Sequence, residues 1–283
     1  MSTKTLSRQE VVEMVDQMPA FPESVQQVLE LTGDINCSPR DLVRVVEHDP
    51  VLTGRILKVV NSAYFGLSRR ISSVKEALAF IGLNTLKNVA LTVAAIGALP
   101  KNNKAGMNME SFLAHSLGVG AGCRWIGNRV GIEGREIERA FLAGMLHNFG
   151  SVLIALQMPK IYRRAGVLAQ ATQRPVFLVE RELIGMDHFE IGGLVADKWK
   201  LESTISEAIR YHREIKSDVE RTQLMDVLWM SSRILGELQP SEKHVEDPHA
   251  DLGATLSITM EDLMADLSSI EVAVERVQIF REV

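Results

Sequence analysis

This sequence predicts an all-α fold, an irregular multi-helix bundle of roughly a dozen helices. Three observations carry that prediction. Helix-start signals, a capping residue followed by proline or by an acid in the first turn, recur along the chain. Apolar residues repeat at three- and four-residue spacing, while alternating runs of strand type are scarce. Hydrophobic residues make up 46% of the 283 positions, which is enough for a substantial core.

The elements follow in order. A lead-in helix is predicted over 1–17. Ser38-Pro39-Arg40-Asp41 reads as a cap, a first-turn proline and an acid. Asp49-Pro50 repeats the signal ahead of an apolar stripe, Leu52, Ile56, Val59 and Val60. Ser73-Val74-Lys75-Glu76 is a capping box, and Gly82 closes its helix. A helix runs from about Asn84 to Gly97, and the polar Lys101–Asn108 connects it to the next. That next helix, from about Glu110 to Asn128, contains Gly118, Gly120 and Gly122. Each glycine costs about 1 kcal/mol against alanine, so the set implies close approach of another backbone.

Ile137, Ala140, Phe141, Gly144 and Met145 share one face of the following helix, and Gly150 sits where it would stop. Helices follow over Met158–Gln173 and Val176–Gly185. The capping box Asp187-His188-Phe189-Glu190 opens a helix through Trp199. Ser203 caps a helix ending near His212, and Asp218–Leu238 reads as a longer one. Gln239–Gly253 is polar and is the expected mobile loop. Thr259 caps a last helix, Met260 to about Arg281. No internal repeat interrupts this order.

Formal net charge is −5, which gives no electrostatic reason to expect nucleic acid or anionic lipid. Cys37 and Cys123 are far apart and read as buried thiols of a reducing compartment. The start of the chain lacks an apolar signal segment, and the longest apolar run, Val89–Leu99, is too short to span a bilayer. The expectation is a cytoplasmic protein.

Two regions, read together, resemble the HDOD family, a degenerate branch of the HD superfamily. The first holds Met18-Pro19-Ala20-Phe21-Pro22, Asp49-Pro50-Val51-Leu52-Thr53 and Asn61-Ser62-Ala63. The second is Gly144–Gly150, then Gly185-Met186-Asp187-His188, Trp199 and Tyr211-His212. The resemblance places an HDOD domain over 18–215, with an N-terminal helical part over 18–100 and a degenerate HD-like core over 109–215. C-terminal helices, 216–283, pack on it. The resemblance further implies a bacterial regulator or scaffold whose partners are signalling proteins.

HD hydrolases resemble one another in a His…His-Asp…Asp set, because imidazoles bind a divalent ion and carboxylates neutralise its charge. On that pattern His115 takes the first position and His147 the second. His188 and His212 take those of the extra histidines in two-metal members. Asn148 replaces the aspartate of the pair, and Ser231 stands where the final aspartate is expected. Asp226, five residues earlier, points to a different side of its helix. Both anionic ligands are therefore missing. Neutral imidazoles could still hold one divalent ion, but no cofactor is expected.

Each residue also has a purely structural reading. His115 reads as buried and hydrogen-bonded, and His147 with Asn148 as a polar network that locks helix packing. His188 continues the cap at Asp187, and His212 beside Arg213 and Glu214 is a solvated helix end. His48, His244 and His249 default to the surface. Asp49 reads as a cap, and Asn61 as a side chain bonding backbone at a helix end. Arg55, Lys58, Arg69 and Arg70 form a charged region, and Arg69 and Arg70 are the expected partner surface.

Three functions follow from these readings. The first is a non-catalytic module acting by protein association. The second is a metal-dependent phosphohydrolase on a nucleotide or cyclic dinucleotide. The third is a nucleotide sensor without catalysis.

Overall fold

The computed structural model describes residues 8–16, 23–33, 38–61, 65, 67–97, 104–214, 219–238 and 255–265. Among them every regular element is a helix, fifteen in all. The Met18–Pro22 motif, Cys37, Ser62, Tyr64, His244, His249 and the 239–253 segment lie outside the described residues.

The N-terminal half comprises α1 (Arg8–Asp16), α2 (Glu23–Gly33), α3 (Pro39–Glu47), α4 (Pro50–Val60), α5 (Val74–Ile81) and α6 (Leu83–Gly97). Local chemistry sets its boundaries. The Ser38 hydroxyl accepts the Arg40 N–H at 3.2 Å and starts α3. Asp49 accepts the Val51 and Leu52 N–H groups at 3.0 and 2.9 Å, and Ser24 donates to its other oxygen at 2.8 Å. Those bonds, the Leu52 N–H foremost, hold its carboxyl below the usual range. Pro50 occupies the first turn, where its missing N–H costs nothing. The Asn61 amide closes α4 by donating to the Leu57 and Ile71 carbonyls and accepting the Ile71 N–H at 2.6 Å. Leu52, Ile56, Val59 and Val60 are buried as the stripe requires. In the capping box at α5, the Glu76 carboxylate accepts from Ser72 rather than from the cap residue Ser73.

The second half holds α7 (Met109–Arg129), α8 (Gly134–Leu146), α9 (Phe149–Gln157), α10 (Pro159–Thr172), α11 (Val176–Ile184) and α12 (His188–Lys198). It continues with α13 (Ser203–Tyr211), α14 (Gln223–Leu238) and α15 (Met260–Ala265). The glycines of α7 do mark a close crossing. A Cβ on Gly144 of α8 would lie 2.7 Å from the Gly120 Cα, and one on Gly122 would lie 2.3 Å from the Ser231 Oγ of α14.

Three boundaries differ from the sequence reading. Gly150 does not stop a helix. The break falls at His147-Asn148, and Gly150 sits in the first turn of α9, where a Cβ would be 1.9 Å from the His188 carbonyl oxygen. The α13 N-cap is Glu202, with Ser203 inside the first turn. Helix α14 begins at Gln223 instead of Asp218, with the Thr222 hydroxyl accepting the Met225 N–H at 3.3 Å.

A part-buried polar node ties the halves together. Arg124 of α7 pairs with Glu138 of α8 at 2.8 Å, and Asn88 of α6 donates to the Glu138 carbonyl at 3.1 Å. One hydrophobic cluster runs from Val11 to Leu263. The stretch Gly134–Gln157 has the length and hydropathy of a bilayer span, but it is broken at His147-Asn148 and 78% of its most apolar window is buried inside the fold.

Candidate functional site

The site grows from two helix ends with the same construction. His147 caps α8, and its Nδ1–H donates to the Gly144 carbonyl at 2.7 Å. His212 caps α13, and its Nδ1–H donates to the Ile209 carbonyl at 3.0 Å. A carbonyl can only accept, so in both rings Nε2 carries the lone pair. The ring centroids of His147 and His212 are 5.9 Å apart, and His115 of α7 lies 5.4 Å from His147. The sequence reading of His212 as a solvated helix end is therefore incorrect, because the residue is fully buried. Helix α13 packs on α14, and Arg221, just ahead of α14, closes over its end. Arg221 donates to the Tyr211 and His212 carbonyls at 2.8 Å each and pairs with the buried Asp226 at 2.6 Å. Asp226 in turn accepts the Thr255 N–H and hydroxyl.

His188 approaches through Phe189, whose ring lies 3.9 Å from its own and 4.5 Å from that of His212. The His188 Nδ1–H donates to the Glu180 carboxylate at 2.5 Å, and its backbone N–H reaches the same oxygen at 3.0 Å. Sequence reasoning missed Glu180. Phe177, Glu180 and Ile184 share the buried face of α11, so its spacing already marked it as a buried acid. Asp187, as read from the sequence, caps α12 by accepting the Phe189 and Glu190 N–H groups. It also pairs with Arg181, which reaches on to Glu214.

The electrostatics divide this cluster. Burial, reinforced by the neighbouring histidines, holds His147 well below the ordinary imidazole value. Burial and then the Arg213 guanidinium do the same to His212. For His188 burial also opposes the charge, yet the Glu180 and Asp187 carboxylates together more than offset it and the pKa rises. Burial pushes the Asp187 carboxyl up against its cationic neighbours.

The two substituted positions are occupied by neutral groups. The buried Asn148 Oδ1 has no hydrogen-bond partner among the described residues, and neither has the His212 Nε2. Ser231 does not face the imidazoles as a ligand. Its hydroxyl donates to the Val119 carbonyl at 2.7 Å, inside the crossing with α7. The donor set does not fit a carboxylate-bridged two-metal centre. Glu180 is committed to His188, and Asp187 to a helix start and Arg181. Among the described residues no three His, Cys, Asp or Glu side chains are arranged to hold an ion. Cys123 is no substitute ligand, since burial pushes its thiol up to about 12.

Asp49, Pro50 and Asn61 sit in the N-terminal half as parts of helix ends, and the exposed His48 donates its Nδ1–H to the Arg44 carbonyl at 2.7 Å. Arg69 pairs with Glu76 at 3.3 Å and lies 5.3 Å above the ring of Phe80. Arg70 is exposed beside it.

A model of the HDOD domain matches residues 18–215. The chain belongs to the HDOD family. An uncharacterised Treponema pallidum protein is 22% identical over 211 residues, covering 72% of this HDOD chain and 39% of that protein. The chain thus spans well under half the length of that relative. A Geobacter sulfurreducens HDOD domain protein of unknown function superposes with a TM-score of 0.77 at 23% identity, over 98% of this chain and 99% of that one. A Shewanella amazonensis protein named a candidate phosphohydrolase gives 0.77 at 24%, over 95% and 97%. A Marinobacter aquaeolei protein named a candidate signal transduction protein gives 0.77 at 20%, over 99% of this chain and 62% of that one. At such identities the likeness establishes the fold.

Proposed function

We propose that this HDOD chain is a non-catalytic regulatory module that works by associating with signalling proteins. The observation that carries the reading is how the polar groups around the imidazoles are used. A hydrolytic ion needs anionic ligands to hold its charge and its hydroxide. Here Asn148 is neutral, Ser231 is bonded into a helix crossing, and the remaining acids serve as a cap and an imidazole partner. What is left is a buried set of rings packed between α8, α12 and α13, with His188 bonded to Glu180 of α11, and we read it as a rigid platform for docking.

Purified full chain, supplied with Mn²⁺, Fe²⁺ or Ni²⁺, is expected to turn over neither cyclic dinucleotides nor common nucleotides. Reproducible turnover that disappears in His147→Ala would overturn the reading.

A further inference from the structure

Helix α10 is the least embedded of the longer helices, with Ala165 its one buried residue. Lys160, Arg163, Arg164, Val167, Gln170 and Ala171 are all exposed, and their spacing sets them along one side of the helix. Val167 is 66% exposed, the highest value among the large apolar side chains of the described residues. The helix carries no acidic residue in its first turn or anywhere else. Lys160 stands in that first turn, where the helix dipole is already positive and an acid is the stable choice. Arg163 donates to the Lys104 carbonyl at 2.5 Å, which brings the exposed Lys104 alongside. Among the described residues, no carboxylate pairs with Lys104, Lys160 or Arg163. This concentration of positive charge stands on a chain whose formal net charge is −5.

We infer that the outer face of α10 docks an acidic amphipathic helix of a partner protein. The inference rests on the association reading and names the surface and the partner chemistry. The cations call for carboxylates at three- and four-residue spacing on the partner, and Val167 calls for one apolar side chain at their centre. The same features argue against other occupants. Duplex DNA would meet few cations and the repulsion of an acidic molecule. A bilayer needs a broad apolar face, and this one has a single valine.

The test uses the full chain and a fluorescein-labelled, lactam-locked helix. The probe has leucine at its centre and glutamates three and four residues to either side. The wild type should bind this probe in a salt-sensitive manner. Lys160→Glu/Arg163→Glu should weaken binding about tenfold. Val167→Asn, which alters no ion pair, should weaken it about fivefold. Melting temperatures should stay unchanged, and Arg69→Glu/Arg70→Glu should bind like the wild type.

Equal binding by wild type and the α10 variants overturns the inference, as does loss of binding only in the Arg69/Arg70 variant. So does a probe with glutamines in place of glutamates that binds equally well. Stronger retention of duplex DNA or phosphatidylserine vesicles gives the face to another class of partner. A wild-type dimer that dissociates in Lys160→Glu/Arg163→Glu gives it to a second copy. Failure of the association reading itself would show separately, as metal-dependent turnover.

Discussion

His147 and His212 each use one ring nitrogen to satisfy a helix-end carbonyl, but burial, not that bond, sets their response to acid. Both are held neutral in the folded chain, with pKa values well below that of an unfolded histidine, about 6.5. Below that pH the unfolded chain takes up protons that the folded chain refuses. Their contribution to stability is therefore present above about pH 6.5 and lost as pH falls, at up to about 1.4 kcal/mol per pH unit for each group. His188 has a raised pKa and the opposite sign. Its contribution is complete below about pH 6.5 and is lost as pH rises through its folded value, so it does not offset the acid side. Urea titrations between about pH 6.5 and 5.5 should show stability falling with acidification, and a His147→Gln/His212→Gln variant should show a shallower slope. An unchanged slope would mean that other groups carry the effect. The caps at Ser38, Asp49 and Asp187 were legible in the sequence because each acts on residues two or three positions away. The burial of His212 was not, because the chain around it reads Arg213 and Glu214 while its cover, Arg221 and the helix behind it, arrives from further along.

At the scale of the element, glycine marks where helices touch, and its meaning depends on what lies opposite. The glycines of α7 were read correctly as a close approach, since several of them in one helix have no other ready cause. Gly150 was misread as a helix stop, because nothing local distinguishes an end from a contact with α12. The two roles predict different responses to a methyl group. Gly150→Ala drives a Cβ into the His188 carbonyl and should cost about 3 kcal/mol or more, read by chemical denaturation. Gly166→Ala on α10 meets nothing within 4 Å and should stabilise the chain by about 0.5–1 kcal/mol. A tolerated Gly150→Ala would show that α9 and α12 can separate without loss.

At the scale of the whole molecule, the Arg124–Glu138–Asn88 node and a continuous apolar core join the two halves, and we propose that they melt together. Leu52→Asp would place an unpaired carboxylate in a site only 4% exposed, at a cost of several kcal/mol. With a total stability of about 5–15 kcal/mol, that change should also remove the ordered environment of Trp229, in the far half, as seen by near-ultraviolet circular dichroism. Separate melting of 1–100 and 109–283 would contradict a single unit.

Helix α1 extends this accounting past the family boundary at residue 18. It packs on α12, buries Val11 and Val15, and lends its last carbonyls, Val15 and Asp16, to the Lys198 ammonium at 2.6 Å each. A fragment cut to the matched 18–215 would strand that ammonium and bare the apolar flank of α12. Two valines alone account for about 3 kcal/mol. The stretch by which the family is recognised and the stretch that folds thus have different edges, and an excised domain would inherit the recognisable pattern with part of its hull removed.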